Sequence, residues 1–320
     1  MNRYHKNPII TRGDIPSIKP HLVDVSSVFN PGAVKFQNSY LLLLRIQNRG
    51  RETFLISATS RDGKSFDIND KVITFSGIEK IPETIYHIYD PRITHIGDTY
   101  YIVFAIDIDG GCRLGIAKTR NFESYSFLGI VSDNDSRNGV LFPEKINNQF
   151  CMLERPNSVK NKGNAGGGDE IWLSASEDLI KWNRVGPILT GRAHYWDEFI
   201  GSGPPPVKTT QGWLHIYHGI ASHFSAASIY QAGVVLLDLA DPSIVIARGK
   251  YNILEPREPY ELIGQVPNVV FPTGLIVDDF DNDGFAKNNS EVKVYYGASD
   301  SSTCLATTTI KDLLDACYDK

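Results

Sequence analysis

The feature that most limits what this chain can fold into is an internal repeat. A turn followed by a short run rich in Tyr, Phe, Trp, Val, Ile or Leu recurs along its length. The copies are "VKFQNSYLLLLRIQ" from Val34, "ITHIGDTYYIVFAID" from Ile93, "KINNQFCMLERP" from Lys145, "TTQGWLHIYHG" from Thr209 and "NSEVKVYYGASD" from Asn289. Each is followed by a second run ending in a turn that often carries Asp, such as "FLISATSRDGKSF" from Phe54 and "EIWLSASEDLIKW" from Glu170. Five copies in 320 residues leave about 64 residues per copy, more than the roughly 40–50 of a simple propeller blade. The surplus falls between copies, where loops carry sites. Helical periodicity is nearly absent. The spacing predicts one helix, "TIKDLLDACY" from Thr309, with Leu313, Leu314 and Cys317 on one face. The pattern therefore predicts an all-β chain: a single domain over residues 1–320, built as a five-bladed β-propeller with a short C-terminal helix. A β-sandwich, or two small β domains, is the alternative that the strand pattern leaves open.

Composition narrows the partners. The formal net charge is −5, which disfavours nucleic acid and anionic membrane surfaces. An anionic ligand must be held by a local cluster of cations. The opening "MNRYHKNPII" has no apolar signal core, and no run has the apolar length of a membrane span. The four cysteines are scattered without metal-ligand spacing. The expectation is a cytoplasmic protein without a metal; a secreted chain lacking its leader is the alternative. Homo-oligomerisation is compatible with the chain. "DDFDNDGFAKNNSE" from Asp278 lacks the spacing of a calcium loop and is expected to be a polar blade connection. "NKGNAGGGDE" from Asn161 lacks the ending of a nucleotide loop and is expected to be a lid on the acceptor side.

In a propeller, residues at equivalent positions of the repeat meet around one central pocket. Those positions carry Asn30, Arg45, "YDPRI" with Tyr89, Asp90 and Arg92, then Arg137, Glu154, Arg155, Asp197, Glu198, His218 and Asp300. Each has a bland reading. Asp90 fits an Asx turn, the arginines fit a solvated surface, and His218 fits a core histidine. What favours a site is that all sit at one register of the repeat.

The strings "NPGAV", "YDPRI", "GVLFPEK", "RP", "GSGPPPVKTTQGWLHIYHG", "LLDLADP" and "VPNVVFPTG" resemble, in order, the motifs of glycoside hydrolase family 130, from about Asn30 to Asp300. That family comprises β-mannoside phosphorylases and a smaller group of β-mannosidases, on a five-bladed propeller. The resemblance implies that Asp90 is the single general acid, acting through the mannose 3-hydroxyl. It implies that Arg137, Arg155 and His218 hold inorganic phosphate, the co-substrate, with no further cofactor. It implies that Asn30, Arg45 and Asp300 line the mannose subsite, and Tyr89, next to Asp90 in "YDPRI", is expected to bind substrate beside them. One departure stands out: many relatives carry a basic residue where this chain has Phe199.

The implied chemistry suits these residue types. Hydrolysis with inversion needs an acid and a base. Phosphate is already an anionic nucleophile, so it needs no base but does need cations, and guanidinium groups fork onto two oxygens. Attack at C1 of a β-mannoside gives α-mannose 1-phosphate. Two rivals are carried forward. A β-mannosidase needs a second carboxylate, with Glu154, Asp197 and Glu198 available. A non-catalytic glycan-binding propeller needs neither acid nor nucleophile.

Overall fold

The computed structural model describes residues 1–132, 135–157, 168–223 and 226–319. Its strands form five separate sheets arranged around an axis, one for each copy of the repeat. The innermost strands of the five sheets are Val25–Val28 with Gly32–Phe36, Ile85–Ile96, Ser136–Leu141, Phe199–Ser202 with Val207–Thr209, and Val270–Val277. The fifth blade is completed by the N-terminal strand Asn2–Arg3, which pairs with Ser302–Thr309 and closes the ring. Arg3 reinforces that closure by donating to the fully buried Glu261 at 2.8 and 2.9 Å. The expected C-terminal helix is Ile310–Cys317, capped by the Thr309 hydroxyl, with Leu313, Leu314 and Cys317 buried.

The strands are apolar on both faces because each blade is packed between two others. In Ser39–Asn48, Leu41 and Leu43 join Ile93 and Phe104 of the second blade, whereas Leu42 and Leu44 join Ile276 and Leu305 of the fifth. Successive side chains of a strand point to opposite faces, so an unbroken run of leucines serves two interfaces.

The Asp-bearing turns are equivalent. Asp62 Oδ1 accepts from the amides of Lys64 and Ser65, Asn121 Oδ1 from Glu123 and Ser124, and Asp178 Oδ1 from Ile180 and Lys181. The next residue in each, Gly63, Phe122 or Leu179, has positive φ (70°, 57° and 66°). A short acceptor side chain is what such a turn requires.

The innermost strands all break at one height. Tyr89 pairs with Ala105 and Arg92 with Val103, so Asp90 and Pro91 stand opposite Phe104 alone. The same extra residue appears in the third blade between Arg137 and Val140 and in the fifth between Pro272 and Gly274. In the first and fourth blades the break lies at residues 29–31 and 203–206. A bulge bends its strand and re-aims a side chain. Asp90 and Asn138 take φ of 53° and 54° there, which short Asx side chains tolerate better than most residues.

One expectation is corrected. The stretch after Asp278 joins Val270–Val277 to Glu291–Ala298 inside the fifth blade instead of connecting blades. Asp278 is bound to Lys35 and Lys293. Among the described residues no group of three or more His, Cys, Asp or Glu is placed to hold a metal, and no helix is long and apolar enough to cross a membrane.

Candidate active site

The bulges open onto one axial pocket of about 420 Å³. The eight residues expected to be catalytic, phosphate-binding or substrate-binding all line it: Asn30, Arg45, Tyr89, Asp90, Arg137, Arg155, His218 and Asp300; Arg92, Glu154, Asp197 and Glu198, from the same register of the repeat, do not. Gln47, Thr53, His87, Asp107, Asn138, Tyr230 and Phe271 also line it, and sequence reasoning misses them. Asn138 has a readable signal, because "RNG" places an Asx residue in the third blade where "YDP" places one in the second.

Asp90 is 7 % exposed. Its Oδ1 accepts from Arg45 Nη1 at 2.9 Å. Arg45 is itself held between rings, 4.1 Å from the Phe29 centroid and 4.8 Å from that of Tyr89. The Tyr89 hydroxyl donates to Asp107 Oδ1 at 2.9 Å, and burial pushes its pKa up. Arg137 lies over the same Tyr89 ring at 5.9 Å. One tyrosine thus packs against a guanidinium from the acid's side of the pocket and another from the third blade.

Arg137 and Arg155 are direct cross-strand partners in the third blade. Like charges facing one another across a ladder destabilise it. Here the guanidinium of Arg155 is buried, and burial together with Arg137 lowers its pKa to about 10. Such a pair fits a site built for an anion.

His218 lies deep in the pocket wall. Burial, then Arg155, Arg92 and His215, hold its pKa well below the usual value. That direction favours the neutral imidazole, which leaves the arginines as the main source of positive charge in the pocket. Its place depends on Gly201, its cross-strand partner: a Cβ there would lie 2.4 Å from His218 Cε1 and 2.5 Å from Asn138 Oδ1.

The three carboxylates available to a hydrolase lie elsewhere. Glu154 accepts from the Ser136 and Ser174 hydroxyls at 2.8 and 2.6 Å. Asp197, fully buried, accepts from Arg192, Arg248 and Tyr217. Glu198 accepts from Ser222 at 2.6 Å. None of these three lines the pocket. Phe199 pairs with Ile220 and does not line it either. Residues 161–167, most of the Gly-rich stretch expected to form a lid, lie outside the described residues.

A five-bladed propeller with one polar axial pocket, pairing a carboxyl group with stacked arginines, has the outline of a carbohydrate-active enzyme. The chain belongs to glycoside hydrolase family 130: the family model described as beta-1,4-mannooligosaccharide phosphorylase matches residues 1–319. It is 30 % identical over 320 residues to a beta-1,4-mannooligosaccharide phosphorylase of Ruminococcus albus, covering 98 % of this chain and 89 % of that one. It is 33 % identical over 299 residues to a 1,2-beta-oligomannan phosphorylase of Thermoanaerobacter sp., covering 90 % and 92 %. The solved beta-1,2-mannobiose phosphorylase of Listeria innocua, in complex with beta-1,2-mannobiose, superposes with a TM-score of 0.84 at 28 % identity, covering 100 % and 99 %.

Proposed function

We propose that this protein cleaves β-mannosides by inverting phosphorolysis, releasing α-mannose 1-phosphate and a shortened acceptor. The observation that carries this reading is the facing pair Arg137 and Arg155, in the same pocket as Asp90. Two guanidinium groups on adjacent strands concentrate positive charge on one side of the pocket, and phosphate is an anionic nucleophile that needs no general base. Asp90 protonates the leaving oxygen, by way of the mannose 3-hydroxyl. Arg137, Arg155 and His218 hold phosphate for attack at C1. Asn30, Arg45, Tyr89 and Asp300 seat the mannosyl unit. A β-mannosidase would need a second carboxylate as base at the water site. Glu154, Asp197 and Glu198 are engaged outside the pocket; of the pocket's other carboxyl groups, Asp107 accepts from the Tyr89 hydroxyl and Asp300 is assigned here to the mannosyl unit. No cofactor beyond phosphate enters this scheme. The four buried, unpaired cysteines support a reducing, cytoplasmic setting.

The test is the reverse reaction. Incubated with α-mannose 1-phosphate and a panel of mannose, glucose and N-acetylglucosamine acceptors, the protein should release phosphate and form a β-mannosidic disaccharide. Acceptor-independent release of free mannose, with no disaccharide, would overturn the proposal.

A further inference from the structure

Arg92 belongs to the "YDPR" string but is absent from the pocket lining. It is 1 % exposed. Burial lowers its pKa to about 10, so it remains charged near neutrality. Among the described residues no carboxylate forms an ion pair with it. Its donors go to backbone carbonyls: Nη1 to Asp90 O at 3.0 Å, Nη2 to Ser202 O at 3.0 Å and Nε to Gly203 O at 2.8 Å.

These three carbonyls belong to two different bulges. Asp90 is the bulge residue of the second blade, with left-handed backbone and a proline after it. A residue before proline is already restricted, so this conformation needs outside support. Ser202 and Gly203 begin the break in the fourth blade, and Gly201 just before them is the cross-strand partner of His218. One rigid, planar fork therefore joins the two segments. A buried charge is a costly way to join two loops, and a lysine cannot reproduce three fixed donors.

We propose that Arg92 is a positioning residue that fixes the backbone of Asp90 relative to the segment behind His218, and so keeps the proton donor at a set spacing from the phosphate pocket. This rests on the functional reading above, in which Asp90 is the acid. A misplacement of about 1 Å is enough to lower a rate by about 10²-fold.

The experiment compares wild type, Arg92→Lys, Asp90→Asn and the double variant on whichever of 1,2- or 1,4-linked β-mannobiose the wild type cleaves. Phosphate binding is measured by calorimetry to count intact sites. Arg92→Lys should bind one phosphate per chain with Kd within about fivefold of wild type, yet have kcat about 10²-fold lower. The double variant should match Asp90→Asn within about twofold, because a residue acting through Asp90 adds nothing once the acid is gone. Losses that multiply in the double variant would overturn the proposal. So would an Arg92→Lys protein that is insoluble, or one with lowered Tm but normal kcat per phosphate site, since each makes Arg92 a scaffold residue only. Failure of the phosphorolysis reading would show separately, as wild-type cleavage that does not require phosphate.

Discussion

Arg45 Nη1 donates to Asp90 Oδ1 at 2.9 Å, and both side chains lie within the same pocket wall, 18 % and 10 % exposed. The proposed acid is thus half of an ion pair, aimed by an arginine that two aromatic rings hold in place. Arg45→Met should lower kcat/KM by about 10²-fold, and Asp90→Asn should lower it by about 10²–10⁴-fold. Because the two groups touch, the double variant should fall well short of the product of the single losses. Strict multiplication of the losses would show that Arg45 serves only the mannosyl unit and does not aim Asp90.

Asp300 links the pocket to stability. Burial raises its carboxyl pKa to about 6, with Arg45 lowering it and Asp90 raising it. The folded state therefore holds this proton more tightly than the unfolded chain, whose carboxyl titrates near its ordinary value. Its contribution is intact below about pH 4 and is lost as pH rises to about 6, and the loss at neutral pH is at most about 3 kcal/mol. Asp300→Asn should stabilise the protein at pH 7 by up to that amount, and the gain should vanish near pH 4. Urea melts of the two proteins across this range check the sign. A difference that does not change with pH would contradict it.

Gly201 makes room for His218. Gly201→Ala puts a methyl group against both His218 Cε1 and Asn138 Oδ1. Steady-state kinetics should show the KM for phosphate raised by about tenfold or more, with a smaller change in KM for the mannoside. Equal changes in both would mean that His218 does not serve the phosphate side.

Asp197 separates scaffold from catalysis. Its carboxylate accepts from both Arg192 and Arg248 while fully buried. Asp197→Ala leaves two arginines facing an empty site and should destabilise the fold by about 3 kcal/mol. Thermal melts should register this loss, while the KM for phosphate stays close to that of wild type. A fully stable but inactive variant would restore Asp197 as a candidate base and revive the hydrolase reading.

Much of the fold and of the pocket is legible in the amino-acid sequence. The run Leu41–Leu44 and its counterparts require strands buried on both faces, and five copies require five blades. Register in a repeat gathers twelve candidates toward the axis, but Arg92, Glu154, Asp197 and Glu198 fall outside the pocket, and it is the family resemblance that assigns the roles. What the pattern hides is local. That Asp90 sits in a bulge follows from a pairing offset with Val103–Ala105, which no single strand reveals. Arg92 reads like a pocket cation in "YDPR", yet its side chain turns to carbonyls of a blade more than a hundred residues away. The neutrality of His218 depends on its depth and on cations from other blades, neither of which is written in "IYHG".

The most direct measurement is the rate of β-mannobiose cleavage as a function of inorganic phosphate, for wild type and Arg137→Ala. Wild-type cleavage should rise from near zero to saturation, with α-mannose 1-phosphate as the sugar product, and Arg137→Ala should need far more phosphate for the same rate. Cleavage at an undiminished rate without phosphate, giving free mannose, would contradict the account.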